Sequence, residues 1–108
     1  MEIKSFVSGS VKVVLVEGEI NRIHLKVLFD EFRFLHLFSE VLLDLTAVTF
    51  AGSTFVNLLS LLRSRHPVDF RKIKLINPSV GIRELLTLTQ MDQLYPVFAE
   101  EEELCPVQ

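Results

Sequence analysis

The side chains that could perform catalysis in this chain are one serine, one aspartate and three histidines. Ser53 lies in the sequence Ala-Gly-Ser-Thr-Phe at 51–55, which lacks the glycines two positions before and after the serine that form a nucleophile turn. The histidines are His24, His36 and His66. None of them shares with Ser53 a spacing that would make it a general base. Asp44 is expected to close the turn before Thr46. The sequence therefore predicts a protein that is not an enzyme and has no catalytic residues.

One predicted helix carries a polar face of unusual composition. Helical spacing places Ser53, Asn57, Ser60 and Ser64 together, opposite an apolar stripe. The stripe consists of Phe55, Leu58, Leu59 and Leu62. Exposed helix faces more often carry Lys, Glu, Gln or Arg, which are better helix formers. Short side chains let a partner's backbone approach closely, so we interpret this face as a protein-binding surface. An ordinary solvated face is the alternative.

Size and composition limit the classes of function. The 108 residues, 49% of them hydrophobic, suffice for one core without a metal or disulfide framework. A net charge of −3 without a Lys/Arg cluster argues against nucleic-acid partners. The single cysteine, Cys105, excludes an internal disulfide, and neither metal nor cofactor is expected. The apolar stretches are too short to insert into a membrane and the N-terminus lacks a signal-peptide core, so a cytoplasmic location is expected.

Hydrophobic periodicity predicts the element order β-β-α-β-α-β-α-β. Strands are predicted at 3–7, 11–17, 41–45, 73–76 and 94–98. Helices are predicted after Asn21 as N-cap, from near Ser53 to His66-Pro67, and after Ser79 as N-cap. Strands that alternate with helices indicate right-handed crossovers. We therefore predict an α/β fold with a mixed, mostly parallel β-sheet, in one domain over 1–108 with an acidic tail from about 99.

Five segments carry a resemblance to a known family. Residues 41–54 read VLLDLTAVTFAGST, in which a strand ending in Asp-Leu-Thr leads through a hydrophobic bend to a serine at a helix start. This segment resembles the central motif of STAS domains. The segments GEIN at 18–21, KLINPS at 74–79, and RELL at 83–86 with LYPV at 94–97 are similar to the family's turn, fourth strand and last helix and strand. The resemblance covers residues 3–98.

The resemblance implies a bacterial, cytoplasmic anti-sigma factor antagonist that works by partner switching. Such a protein regulates transcription by binding a serine kinase that otherwise holds a sigma factor. The kinase phosphorylates the serine at the start of the second helix, here Ser53, and a serine phosphatase restores the binding form. Helix N-termini can receive a phosphate group on their free N–H groups. The phosphate adds a charge of about −1.5 to −2, which disrupts an uncharged contact.

Three residues depart from the family's pattern. Gly52 replaces the acidic residue expected before the serine, and Phe55 and Asn57 replace small residues. Two interpretations of Ser53 therefore stay open: it is the phosphorylated residue, or it only caps the helix. Thr54 is the alternative phosphorylation site.

The expected partner-binding surface joins the second helix to the loops that follow the parallel strands, where open α/β sheets place their sites. It comprises Glu19, Asn21, Thr46, Gly52, Ser53, Thr54, Asn57, Ser60, Asn77 and Ser79. Two other functions stay open. One is a STAS module that no longer switches, uses the same surface, and serves as a scaffold or as an accessory subunit of a transporter ATPase. The other is a small-ligand or nucleotide-binding domain that uses the N-terminus of the second helix as an anion site.

The first predicted helix suggests a further contact. Its core stripe consists of Leu25, Leu28, Phe29, Phe32 and Leu35. Roughly opposite this stripe project Ile23, Val27, Phe34 and Phe38. A helix that is apolar on two sides indicates a protein contact, and homodimerisation is one hypothesis. In the alternative, the helix ends near Leu35 and the later phenylalanines enter the core through the loop.

Overall fold

A computed structural model describes residues 1–99 as five strands and three helices. The strands are β1 (Glu2–Ser8), β2 (Val11–Glu19), β3 (Glu40–Phe50), β4 (Ile73–Ile76) and β5 (Val97–Phe98). The helices are α1 (Leu25–Asp30), α2 (Gly52–Arg65) and α3 (Val80–Leu88). The sheet order is β1-β2-β3-β4-β5; β1 is antiparallel to β2 and the other neighbours are parallel. The predicted fold class is confirmed. The predicted acidic tail, apart from Ala99, lies outside the described residues.

The helices lie on one face of the sheet. The chain passes from β2 to β3, then to β4 and to β5, and each step moves to the adjacent strand in the same direction across the sheet. Right-handed crossovers that all move in one direction place their helices on the same face. Alternate strand residues form the core on that side: Val14 pairs in register with Leu43, and Leu43 with Leu75. Burying this row against the three helices fixes the strand register, because a slip of one residue would expose it.

Strand β3 is longer than predicted. The prediction ended at Leu45, whereas the strand continues to Phe50 and pairs with the end of β2, where Glu19 lies opposite Phe50. Buried and exposed residues alternate again after Leu45, since Val48 is buried between exposed neighbours. The β-branched residues of this stretch also favour an extended backbone. The predicted hydrophobic bend is therefore a strand that carries the chain directly to the start of α2.

Helix α1 is shorter than its apolar stripe predicted. It follows a 3-10 turn (Arg22–His24), in which the backbone N–H of Asn21 donates to Nδ1 of His24 at 2.9 Å, and it ends at Asp30. Lys12 of β2 terminates it, because its Nζ donates to the carbonyl oxygen of Glu31 at 2.6 Å. Leu35 then reaches the core from a separate 3-10 turn.

The two predictions made for the first helix are each partly wrong. A continuous helix with two apolar sides does not form, because the backbone leaves the helix after Asp30. The alternative is correct for Phe38, which packs against the core, and wrong for Phe34, whose side chain is 53% exposed. Ile23 and Val27 are also exposed, so an apolar surface remains at this end of the molecule.

The last strand begins later than predicted, at Val97 rather than Leu94. The residues before it form a 3-10 turn (Met91–Gln93) and an anchor, Tyr95. The Tyr95 ring is fully buried, and its hydroxyl donates to the carbonyl oxygen of Leu59 in α2 at 2.5 Å. Pro96 lies at the sheet edge as predicted, and its carbonyl oxygen accepts from the N–H of Leu75 at 2.9 Å.

We expect Tyr95 to make stability depend on alkaline pH. Burial raises the pKa of its phenol well above the ordinary value, an effect that the nearby Arg63 guanidinium only partly offsets. Because the folded pKa exceeds the unfolded one, this stabilisation is complete below pH about 10 and is lost as the pH rises further. Urea unfolding monitored above and below that pH should show the loss in the native chain and a smaller loss in Tyr95→Phe.

Tyr95 is the one tyrosine of the sequence, so the absorbance of tyrosinate reports on it alone. In the folded chain this absorbance should rise only when the protein unfolds. A tyrosinate signal with an ordinary midpoint near pH 10, in a chain that stays folded, would contradict the buried phenol.

Candidate functional site

The site lies at the carboxyl ends of β2, β3 and β4 and at the start of α2. Asp44 of β3 organises one part of it, since its Oδ1 accepts from the backbone N–H of Thr46 at 2.9 Å and from Thr46 Oγ1 at 2.6 Å. Thr46 Oγ1 in turn accepts from Asn77 Nδ2 at 3.1 Å. The predicted turn before Thr46 is absent, because β3 runs through both residues. Asp44 still has a structural role, since its carboxylate links β3 to the residue that follows β4 through this chain of hydrogen bonds.

Ser53 is the second residue of α2. The N-cap is Ala51, whose carbonyl oxygen accepts from the N–H of Phe55 at 3.4 Å, and the Ser53 side chain makes no capping bond. The capping interpretation of Ser53 is therefore wrong, because the helix begins at Gly52, two positions too early for Ser53 to be its cap. The Ser53 side chain is exposed, and its hydroxyl forms no hydrogen bond within residues 1–99. Thr54, beside it, is partly buried.

Gly52 is required by the backbone at this junction. Its φ is +50°, which lies in the left-handed region that favours glycine. A Cβ atom at this position would lie 3.1 and 3.2 Å from Cζ and Cε2 of the Phe50 ring. The left-handed backbone and the close Phe50 ring therefore both disfavour a side chain at position 52, including the acidic residue that the resemblance implied.

Phe50 is the site residue that the sequence analysis did not single out. It ends β3, its ring covers Gly52, and its side chain remains 59% exposed. Its carbonyl oxygen accepts from the N–H of Ile20 at 2.8 Å, so the turn that carries Glu19 and Asn21 is fixed beside it. The sequence Thr-Phe-Ala-Gly at 49–52 could have indicated this residue, because it places an aromatic side chain where a strand ends. An exposed aromatic ring at such a position is typical of a contact surface.

The polar face of α2 is exposed as the helical spacing predicted. Ser53, Asn57, Ser60 and Ser64 are all exposed, whereas the stripe opposite them is completely buried. The first turn of α2 contains no acidic residue. This face is therefore a surface of small, uncharged side chains that begins at Ser53 and extends along the helix for about 16 Å. Its use in binding remains a prediction.

A cavity of about 260 Å³ separates the start of α2 from the start of α3. Its lining residues are Thr49, Phe50, Ala51, Gly52, Ser79, Gly81, Ile82 and Leu85. Ser79 is the N-cap of α3 as predicted, and its Oγ accepts from the N–H of Ile82 at 3.3 Å. No Lys or Arg belongs to this described lining, so the cavity offers an anion no counter-charge from a side chain.

The predicted binding residues divide into two groups. Glu19, Gly52, Ser53 and Ser79 lie around Phe50 and the cavity beside it. Thr46 and Asn77 form the separate hydrogen-bonded group with Asp44, since Thr46 lies four residues before Phe50, about 13 Å along a strand. Asn57 and Ser60 continue the surface along α2, and Asn21 is engaged in the 3-10 turn with His24.

The sequence matches no protein-family model and no curated protein. Solved structures do match. An anti-sigma factor antagonist from Mycobacterium paratuberculosis superposes with a TM-score of 0.79 at 20% identity, over 94% of this chain and 88% of the other. An anti-sigma-factor antagonist (STAS) domain protein from Planctomyces limnophilus gives 0.72 at 23% identity, over 94% and 92%. The chain has the STAS fold.

A third STAS neighbour is the anti-sigma factor antagonist SpoIIAA. In its unphosphorylated form it superposes with a TM-score of 0.76 at 17% identity, over 98% of this chain and 96% of its own. All three neighbours are matched over almost their whole length, so the STAS fold accounts for every element from β1 to β5. At these identities the similarity establishes the fold and leaves the roles of single residues to the geometry described above.

Two further observations concern residues 1–99. Among residues 1–99, no helix is both long enough and apolar enough to cross a membrane. In the same range, the side chains of His, Cys, Asp and Glu do not gather in threes around a point that could hold a metal ion.

Proposed function

We propose that this STAS domain is a bacterial, cytoplasmic anti-sigma factor antagonist that binds a serine-kinase anti-sigma factor and is switched by phosphorylation of Ser53. One observation carries the proposal: an exposed Ser53 hydroxyl, free of hydrogen bonds in the described chain, stands at the start of α2 on a face of small, uncharged side chains. The structural neighbours are anti-sigma factor antagonists, one of them solved in its unphosphorylated form, which supports a regulatory rather than a catalytic role.

The position of Ser53 suits a phosphorylation switch. The first N–H groups of a helix have no acceptor within it, so a phosphate on Ser53 would accept hydrogen bonds from the first turn of α2. The modified side chain would then fold back on its own helix and carry about two negative charges. A partner that packs closely on Ser53 and Asn57 would lose its contact and meet this charge. Removal of the phosphate by a serine phosphatase would restore the surface.

The geometry favours Ser53 over Thr54 as the modified residue. Ser53 is exposed, whereas Thr54 is partly buried, so a kinase can reach the first hydroxyl with less displacement of the chain. Gly52 also leaves the approach to Ser53 free of a carboxylate that would repel the transferred phosphate. We therefore assign the modification to Ser53.

The ligand-binding alternative is disfavoured by the cavity. Its volume of about 260 Å³ falls below the roughly 300 to 1,000 Å³ of typical ligand pockets. Its described lining also lacks the cation that a nucleotide phosphate would require. The other alternative, a STAS module that binds without switching, uses the same face of α2 and differs in the fate of Ser53. A chain that binds the kinase but is not phosphorylated on Ser53 would be such a module.

The binding surface is tested by titrating the purified chain with a serine kinase encoded beside it in its genome. Asn57 lies in the middle of the polar face, so Asn57→Arg should weaken the complex at least tenfold, which corresponds to about 1.4 kcal/mol. The matched control is Gln93→Arg, which alters another exposed amide at the opposite end of the parallel strands. Equal affinities for the native chain and both variants would exclude this face, and no binding at all would exclude the proposed partner.

A further inference from the structure

The outer edge of β1 is a long strand edge with no pairing partner among residues 1–99. β1 runs for seven residues, Glu2–Ser8, and pairs with β2 without interruption of the register. Phe6 and Val7 on this strand are 52% and 55% exposed. Proteins usually protect an edge of this kind with a proline, a bulge, several charges or a covering loop, because its free N–H and C=O groups can pair with another chain. Of these protective features, β1 has only the charges of Glu2 and Lys4, and its apolar half is not covered within residues 1–99.

The hairpin geometry shows which backbone groups point outward. Gly9, with φ +62°, and Ser10 form a two-residue turn that closes on the pair Ser8 and Val11. The carbonyl oxygen of Ser10 accepts from the N–H of Ser39 at 2.8 Å, so Ser10 faces β3 and Val11 faces β1. In an antiparallel pair the direction alternates along each strand. The residues of β1 that bond to β2 are therefore the even-numbered ones.

We propose that β1 pairs with β1 of a second copy of this chain, antiparallel and about a two-fold axis at Ser5. The residues that present N–H and C=O groups outward are Ile3, Ser5 and Val7, and this arrangement pairs them with one another. Ser5 lies opposite Ser5, and Ile3 lies opposite Val7. An isologous contact of this kind is closed, so the assembly stops at two copies.

The side chains fit this register. Ile3 and Val7 project to the helix side of the sheet, where each exposed Val7 would meet the partly buried Ile3 of the second copy. On the other side, Lys4 lies opposite Phe6, and an ammonium beside an aromatic ring is a favourable cross-strand pair. Like charges do not lie directly opposite each other. A two-fold axis at Ile3 would instead leave Phe6 and Val7 uncovered.

The proposed dimer is independent of the proposed function. β1 is two strands away from β3, which leads into α2, so pairing at this edge leaves the polar face of α2 free in both copies. The two five-stranded sheets become one continuous sheet, and the two-fold axis, which is perpendicular to it, keeps all helices on one side. Loss of kinase binding would therefore not affect the dimer, and loss of the dimer would not affect the kinase-binding surface.

The solution mass of the chain tests the pairing, by sedimentation equilibrium up to millimolar concentration. The native chain and Ser5→Ala should be dimers, and Ser5→Pro should be a monomer. Proline at position 5 removes an N–H that points outward and leaves the bonds between β1 and β2 in place, so its thermal midpoint at low concentration should match that of Ser5→Ala. A monomeric native chain, or a Ser5→Pro variant that dimerises like the native chain, would overturn the proposal.

A disulfide tests the register even if the proline variant does not fold. In a Cys105→Ser background, Ser5→Cys places two thiols opposite each other with Cα atoms about 5.5 Å apart, which a disulfide can bridge. Mild oxidation should give a covalent dimer. The matched control is Ser8→Cys, whose two copies would lie about 20 Å apart in this register and should stay unlinked. Equal cross-linking of the two variants would refute the two-fold axis at Ser5.

Discussion

Replacing Ser53 with glutamate should abolish kinase binding at concentrations where the native complex is saturated. The side chain is exposed on an uncharged surface at the start of α2, so a carboxylate there meets the partner directly and must be desolvated in the contact. We expect a loss of at least about a hundredfold in affinity, or about 2.7 kcal/mol. Ser53→Ala, which adds no charge and removes no hydrogen bond in the described chain, should bind within about threefold of the native chain.

The control for charge alone is Ser64→Glu. Ser64 lies on the same exposed face, about 16 Å further along α2, so a general electrostatic effect would act on both variants. We expect Ser64→Glu to weaken binding less than tenfold. Titration calorimetry with the same kinase measures all three variants. Binding of Ser53→Glu as tight as that of the native chain, or equal effects of the two glutamates, would contradict a contact centred on Ser53.

Restoring the acidic residue before Ser53 should destabilise the fold rather than improve the switch. Gly52→Asp places a side chain on a backbone with φ +50°, which costs about 1 kcal/mol for a residue other than glycine. Its Cβ would also lie 3.1 Å from the exposed Phe50 ring, and forcing that ring off its preferred rotamer costs about 0.5 to 1.5 kcal/mol. We expect the free energy of unfolding to fall by about 1.5 to 2.5 kcal/mol in chemical denaturation.

A double-mutant cycle can separate the two contributions to this destabilisation, the contact with the Phe50 ring and the strain of the backbone at position 52. Removing the ring in Phe50→Ala should relieve the clash, so Gly52→Asp should cost less in that background, by at least about 0.5 kcal/mol. The matched control is Gly81→Ala in α3, where an added Cβ meets no atom within 4 Å and where alanine favours the helix by about 1 kcal/mol. Additive effects of Phe50→Ala and Gly52→Asp would contradict the packing described here.

Most of the fold could be predicted from local sequence patterns, because most helices and strands form where those patterns place them. The apolar stripe of α2, the buried runs of β2 and β4, and the Ser79 cap were all recognisable in the sequence. The predicted ends of helices and strands were wrong where contacts with distant parts of the chain determine them. Lys12 of β2 ends α1 by binding the carbonyl oxygen of Glu31, which no pattern within the helix could indicate. β3 continues to Phe50 because β2 is there to pair with it.

The site was less predictable than the fold for the same reason. Helical spacing correctly predicted that the polar face of α2 is exposed. It could not show that Gly52 is held in a left-handed conformation under the Phe50 ring, because that contact depends on where β3 ends. The same turn displaces Ser53 from the cap into the first helical turn, so capping does not explain this serine and its modification stays a proposal.

The intact mass of the chain after incubation with the kinase and ATP shows whether Ser53 is the switch. Ser53→Ala is treated in parallel. We predict that the native chain gains the mass of one phosphate and then no longer binds the kinase, and that Ser53→Ala gains none and stays bound. A native chain that binds but gains no phosphate would make this protein a non-switching module, and a phosphate that persists in Ser53→Ala would place the switch elsewhere.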